Sequence, residues 1–449
     1  MCTGRRADPL WLALFFFAIY SALSVARFRT LSTMSWDLGI FEQAVRSYAH
    51  FQAPIVDLKG PGTNILGDHF SPVVAVIAPL YRFFPTPVTL LVAQSFLFAS
   101  SVVPVTRVAA LRLGRRQGLA IGLAYGLSWG LQKAADFDFH EICFAVPLLA
   151  FSLEALLRKR LRAAVLWAFP LLLVKEDLGV TAAVIGLLVF LAARGSRRPA
   201  QRWAVALMVI GVVGTVALVT VVIPAFNSAG HYDYADKIGS GATIPPGTAV
   251  RTLLWTLLPT TGLLALRSPV LAVALPTLAW RFLSHDDHYW STDWHYSAVL
   301  MPIVFMALID ALTTLRHSPP SLLRSFARHL PAAVAAAAMA LSTTLPAATL
   351  MDAATYRVDE RVKAIGRLLE KIPDGATVEA NVGPVSELTD RCRVLWMGDT
   401  QGIDPNYIAL NNGGNWAGDP VAYARSLHPD ADYTEIGSAA DYVVLRRSP

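Results

Sequence analysis

Apolar runs separated by short basic clusters constrain this chain more than any other feature. The runs lie near residues 10–27, 87–111, 117–134, 141–157, 163–175, 178–194, 203–224, 249–266, 269–284, 296–315 and 329–350. A helix crosses the roughly 30 Å hydrocarbon core with about 20 apolar residues, and a soluble fold has no use for so many such runs. The expectation is an all-α polytopic membrane protein with about eleven transmembrane helices. Composition agrees. The chain is 54% hydrophobic and 16% charged, against roughly 45–50% and about 25% in soluble domains.

The clusters Arg112/Arg115/Arg116, Arg158-Lys159-Arg160/Arg162, Arg194/Arg197/Arg198/Arg202 and Arg316/Arg324/Arg328 fall in alternate loops. Lys and Arg accumulate on the cytoplasmic side. That places the N-terminus inside and everything after residue 350 outside, in what would be a bacterial plasma membrane. The net charge of +6 is accordingly a topology signal. Nucleic-acid binding is excluded, because the positive groups sit at loop ends and not on one face. Gly4-Arg5-Arg6 before an apolar run also resembles a signal peptide ending at Ser24-Val25-Ala26. The many later runs favour an uncleaved first helix. Cys2, Cys143 and Cys392 lie far apart without CxxC spacing, which argues against a disulfide framework or a zinc site.

Residues 71–85, SPVVAVIAPLYRFFP, are apolar but short, and prolines follow. As a span they would put every later basic cluster outside, so a re-entrant or interfacial helix is expected. After residue 350 the pattern changes. A helix is expected over 358–371 and strands over 377–382, 394–397 and 442–445, with Gly- and Asn-rich loops between. This divides the chain into a transmembrane domain, 1–350, and a small extracytoplasmic α/β domain, 351–449.

Acids and histidines recur in the loops assigned to the outer side. MSWDLGIFEQ (34–43) places Asp37 and Glu42 just past the first helix, and a carboxylate there is costly unless it is used. The same loop continues through His50, Asp57 and Lys59 to Asp68-His69. The next carries Asp136, Asp138, His140 and Glu141. Lys175-Glu176-Asp177 turns between two short spans, and HYDYADK (231–237) and HDDHYWSTDWHY (285–296) follow. Such a rim suits general-base chemistry or the binding of a polyhydroxy ligand. Blander readings stand beside these. Asp37 can cap a helix starting at Leu38, and Asp68-His69 can be a self-bonded turn. Lys175 can snorkel, although a Lys beside two acids at membrane depth more often marks an anion or proton site. The Trp and Tyr of 289–296 fit an interfacial belt. In an extended DFDFHE segment, Asp136, Asp138 and His140 would share one face, a spacing that resembles a metal site.

WDLGIFEQ (36–43), GDHFSP (67–72), FDFHE (137–141) and KEDLG (175–179), in this order and spacing, resemble an uncharacterised bacterial family of multipass membrane proteins. That family is remotely similar to the GT-C glycosyltransferases, which use polyprenyl-phosphate sugars as donors. The resemblance implies a GT-C-like helical core with amphipathic helices on its outer surface. It also implies that the acid in the first outer loop, here Asp37, is the catalytic base. No motif assigns the group that would hold the lipid phosphate; Lys175 is the choice from chemistry alone.

The reading that joins these observations is a membrane glycosyltransferase moving a sugar from a polyprenyl-phosphate donor to an unknown acceptor on the outer face. Asp37 would act as base. Asp68, His69, His140, Glu141, Lys175, Glu176 and Asp177 would bind substrate. Asp37, Asp68 and His140 would be the ligands for any divalent cation, Mg or Mn. The alternatives are a transporter or flippase for an anionic solute or lipid, which needs broken helices in two matching halves, and a non-enzymatic receptor or assembly factor.

Overall fold

The computed structural model describes residues 4–194, 198–237, 243–316 and 322–449, with side chains from Ala7 onward apart from that of Arg198. Cys2 and Arg197 lie outside these residues. Cys143 and Cys392 are both buried and unpaired.

The helical part begins with α1 (Gly4–Arg29), α2 (Trp36–Ala49), α3 (Ala78–Phe83) and α4 (Pro87–Leu113). It continues with α5 (Arg115–Gly126), α6 (Trp129–Asp136), α7 (Ala145–Leu157), α8 (Leu161–Ala168) and α9 (Leu178–Ala192). After these come α10 (Arg198–Ala217), α11 (Ile223–Phe226), α12 (Pro246–Thr261), α13 (Leu275–Leu283), α14 (Leu300–Arg316) and α15 (Leu322–Ser342). Every expected apolar run is helical, but the runs differ. Among the described residues, four stretches are long and apolar enough to cross a bilayer: Ala7–Arg29, Pro87–Leu113, Pro199–Phe226 and His295–Arg316. The others are shorter, interrupted or charged, so helix length alone does not carry a count of eleven. Helix α4 packs between α1, α5 and α7. The Pro199–Phe226 stretch is mostly exposed, whereas the His295–Arg316 stretch is mostly buried.

Residues of three basic clusters meet at one end of this bundle. Arg115 holds Asp8, Arg107 and Arg158 share Glu154, Arg112 donates to the Leu157 carbonyl and Arg316 to the Arg112 carbonyl. Arg27, at the far end of α1, instead pairs with Asp136 at the end of α6. The segment after Phe70 is a 3-10 turn, Pro72–Ile77, running into α3. It is too short to span and packs against α2, as expected of an interfacial element.

The C-terminal part holds α16 (Glu360–Leu369), α17 (Pro420–Leu427) and a five-stranded mixed sheet. The strands are β1 (Thr377–Ala380), β2 (Arg393–Trp396), β3 (Tyr407–Asn411), β4 (Tyr433–Ala439) and β5 (Tyr442–Arg447), in the order β2-β1-β3-β5-β4. β1 is parallel to β2 and β3, and β5 is antiparallel to β3 and β4. Strands β3 and β4 and helix α17 were not anticipated. β3 is a short buried run of three residues, and β4 beyond Tyr433 is exposed or half-buried and mixes charged and small residues.

Helix α2 lies between the two parts and is buried on most of its surface. Leu38, Phe41, Val45 and Ala49 belong to the helical core, while Ile40 and Ala44 belong to the core under the sheet. Its polar side chains complete the joint. Gln43 donates to the Val394 carbonyl and accepts from the Leu58 N–H. Arg46 donates to the Thr389 and Cys392 carbonyls, and Glu42 accepts from Tyr81 and Thr389.

Candidate functional site

The site lies at the end of the bundle away from the basic loops, where α1 leads into α2 and α6 into α7. Helix α2 starts at Trp36, so Asp37 sits in its first turn and does not cap it. The residue in the cap position is Ser35, in the left-handed region at φ +61°, and its side chain does not bond to the helix. No described residue hydrogen-bonds to the Asp37 carboxylate. Its nearest ionic neighbour is His140 Nε2, 4.0 Å from Oδ2. Burial raises the pKa of Asp37 from its ordinary value, against the pull of His140, Lys59 and Lys175.

Behind His140 lies Glu141, fully buried. Its carboxylate is 2.5 Å from His140 Nδ1 and 3.3 Å from Lys175 Nζ. The other face of the His140 ring stacks on His295, with centroids 3.7 Å apart. Neither ring nitrogen of His295 has a hydrogen-bond partner among the described residues. Asp37, His140 and His295 each offer a ligand atom, all within 4.8 Å of one another.

The opposite wall is organised by Glu176. It accepts from His69 Nδ1 at 2.7 Å, the Phe70 N–H at 3.1 Å and the Tyr232 hydroxyl at 2.8 Å. Burial raises its pKa, but His69 and Lys175 outweigh that and hold it at about 2. Asp177 is its opposite. Its Oδ1 is buried without a hydrogen-bond partner among the described residues, and burial, partly offset by Lys175, pushes its pKa up to about 6. Tyr234 stacks on His69 at 4.1 Å. Lys59 pairs with Asp68 at 3.2 Å and Lys237 with Asp286 at 3.1 Å.

These groups share one partly open cavity of about 210 Å³, lined by Asp37, Asp68, His69, His140, Lys175, Glu176 and Asp177 among others. All seven were anticipated from sequence, and Glu141 stands directly behind them. Several finer expectations are corrected. Asp68 is engaged by Lys59, so the third residue beside Asp37 and His140 is His295. DFDFHE does not present one face. Asp136 pairs with Arg27, Asp138 bonds to Ser35, and only His140 enters the cavity. Lys175 does not snorkel, because it is held by Glu141.

The interfacial-belt reading of 289–296 also fails at three positions. Tyr289 and Tyr296 line the cavity, and Trp290 is buried, donating to the Ser284 carbonyl. Lys59, Lys237, Tyr232, Tyr234 and His295 were not singled out as site residues. For all but Lys59, which belongs to the first outer loop, the signal was the density of His, Tyr and Asp in 231–237 and 285–296.

The sequence profile of a family described as "Predicted membrane protein (DUF2079)" matches residues 27–427. No curated protein matches the chain. Among solved structures, ArnT from Cupriavidus metallidurans bound to undecaprenyl phosphate aligns at TM-score 0.62 and 13% identity, over 99% of this chain and 98% of that one. The apo state of the same ArnT aligns at TM-score 0.55 and 12% identity, over 97% of each chain. At such identity the likeness shows the fold, which is the GT-C-like arrangement that the sequence motifs implied.

Proposed function

The chain belongs to the DUF2079 family of predicted membrane proteins, and from that premise we propose that it is a membrane glycosyltransferase using a polyprenyl-phosphate sugar as donor. The observation that carries this reading is Asp37. It is a carboxylate without a hydrogen-bond donor among the described residues, facing an imidazole in a cavity that three lysines also line. An acid whose pKa is raised toward the working pH is a better proton acceptor than an ordinary one. The fold shared with ArnT, which was solved with undecaprenyl phosphate, supports a lipid-phosphate partner. The basic loops at the far end of the bundle support an outward-facing site.

In this mechanism Asp37 takes the proton from the acceptor hydroxyl as that oxygen bonds to the anomeric carbon. The bond from that carbon to the donor phosphate breaks, and polyprenyl phosphate leaves with its electron pair. Lys175, kept in place by Glu141, offsets the charge that develops on the phosphate. Lys59 and Lys237 add positive potential at the walls, and the tyrosines supply hydroxyls and ring faces for a sugar. Asp37, His140 and His295 fit a divalent cation, since the ring nitrogens of His295 are otherwise unsatisfied. Two imidazoles suit Mn²⁺ better than Mg²⁺. Such an ion would supply Lewis-acid stabilisation of phosphate charge.

The test is direct. The full chain in liposomes is offered a panel of radiolabelled undecaprenyl-phosphate sugars, and release of undecaprenyl phosphate is measured. Release that Asp37→Asn slows by at least about 10²-fold supports the reading. Release from no donor, or equal release by the variant, rejects it.

A further inference from the structure

We propose that Asp138 is a positioning residue that sets Asp37 against His140, acting through the backbone of Ser35. The inference rests on the reading of Asp37 as the base. Two chain segments bring the reacting groups together, and each turns into the site through a non-glycine residue in the left-handed region. These are Ser35 at φ +61° and Asp138 at φ +87°. Such residues are uncommon, with Asp and Asn the best tolerated. The two are tied directly, because the Ser35 N–H donates to Asp138 Oδ2 at 2.7 Å. Asp37 lies two residues beyond one partner and His140 two residues beyond the other.

The rest of the clamp is equally specific. Gln94, buried on α4, donates to the Asp138 carbonyl at 2.6 Å and accepts from the His140 N–H at 3.1 Å. One side chain of a central helix therefore fixes both ends of the Asp138–His140 segment. Ser35 would ordinarily spend its hydroxyl on capping α2. It accepts instead from the Gly383 N–H at 2.8 Å, in the loop after β1. The first turn of α2 is thus aimed from outside, by Asp138 on one side and by the C-terminal loop on the other. Asp138 is itself 2% exposed. Burial pushes its pKa up to about 8, against the Ser35 N–H and the charge of Arg27, with the negative charges of Asp37 and Asp136 adding to the rise.

Three variants separate aiming from folding. Asp138→Asn keeps an acceptor for Ser35 and tolerates positive φ. Asp138→Gly keeps the backbone conformation at no steric cost and removes the acceptor. Asp37→Asn is the reference for loss of the base. With the full chain in liposomes, the expected result for Asp138→Gly is a fall in kcat of about 10- to 100-fold, as a misplaced group costs. The KM for the donor stays within about threefold, and Asp138→Asn restores most of kcat. Equal kcat for Asp138→Gly and the parent overturns the proposal, as does an equal loss in Asp138→Asn.

A second readout needs no activity, so it survives failure of the glycosyltransferase reading. Hydrogen exchange of the 35–40 amides should accelerate in Asp138→Gly and not in Asp138→Asn. Unchanged exchange in Asp138→Gly overturns the clamp whatever the protein transfers.

Discussion

Trp36 and Trp396 meet edge to face with ring centroids 4.0 Å apart, so the residue beside the proposed base rests on the end of strand β2. Sheet and site are therefore not independent. The face of α2 opposite the helical core is bonded to the C-terminal part through Gln43, Arg46 and Glu42, and Asp57 pairs with Arg393 through both carboxylate oxygens. A shift of the C-terminal part relative to the bundle has to pass through the helix that carries Asp37.

Gly39 measures how tight that joint is. A Cβ there would stand 2.4 Å from Val385 Cγ1 and 3.0 Å from Leu58 Cδ1. Gly39→Ala gains up to about 1 kcal/mol of helix propensity. Overpacking against a stiff, fully buried valine costs about 1–3 kcal/mol. The net expectation is a lower unfolding temperature in detergent, largely recovered by the double variant Gly39→Ala/Val385→Ala. An unchanged melting temperature in the single variant would show that the joint has slack.

Glu42 gives the same joint a pH dependence. Burial pushes its pKa from 4.5 up to about 8, against the hydrogen bonds from Thr389 and Tyr81. Between those values the unfolded chain has lost the proton that the folded one keeps. Its contribution to stability is therefore fully present below about pH 4.5, falls as pH rises, and levels off above about 8. Glu42→Gln should remove this slope. The check is the difference in unfolding temperature between parent and variant from pH 5 to 8.5, and a difference that does not change with pH refutes the assignment.

How much of this was legible in the sequence depends on what each feature rests on. The helical bundle, the small α/β part and the cavity-lining residues of the four motifs all follow from local signals: apolar runs, basic clusters, and acids that lipid would not tolerate unused. What escaped rests on side-chain direction. Nothing in DFDFHE shows that Asp138 turns through positive φ toward Ser35 while His140 turns into the cavity. The choice of His295 over Asp68 beside His140 depends on how α14 enters the bundle, a tertiary fact with no local spacing. Helices α8 and α13 are short because 3-10 turns interrupt their apolar runs, so counting apolar residues overstates regular helix.

Topology is open to a direct check. The basic loops gather at the end of the bundle opposite the cavity, and Lys and Arg mark the cytoplasmic side. An alkaline phosphatase fused after Pro449, which is active only outside the cytoplasm, should be active. A cytoplasmic reporter at the same place should be silent. The reverse pattern would turn the cavity inward and away from an outer-face acceptor.

Lys175 should matter for binding as well as for rate. Its ammonium attracts the donor phosphate before reaction and more strongly as charge develops, so Lys175→Met should raise KM and lower kcat together. The variant also leaves Glu141 buried without its cation, which costs about 3–5 kcal/mol for a broken buried pair. The informative protein is the double variant Lys175→Met/Glu141→Gln, in which no lone charge remains. It should recover stability but not transfer. Competition by undecaprenyl phosphate alone should be at least about tenfold weaker than in the parent. Recovery of both stability and transfer would assign Lys175 a purely structural role.

Asp37→Asn decides the mechanism, because two effects of very different size are at stake. As an acid in the first turn of α2, Asp37 favours the helix dipole by about 0.3–1 kcal/mol, and the amide keeps its size. Folding should therefore change little. As a base it contributes about 10²–10⁴ in rate, equivalent to roughly 3–5 kcal/mol of barrier. The expected outcome is a variant that inserts, melts within a few degrees of the parent and transfers two to four powers of ten more slowly. The parent's own kcat/KM should rise with pH through an inflection above that of an ordinary aspartate, since burial holds Asp37 protonated longer. That inflection should be absent from the residual activity of Asp37→Asn. A well-folded Asp37→Asn protein with full transfer would remove the central residue of the glycosyltransferase reading. It would favour a transporter of an anionic solute or lipid, in which the lysine-lined cavity binds and releases its ligand without any proton transfer.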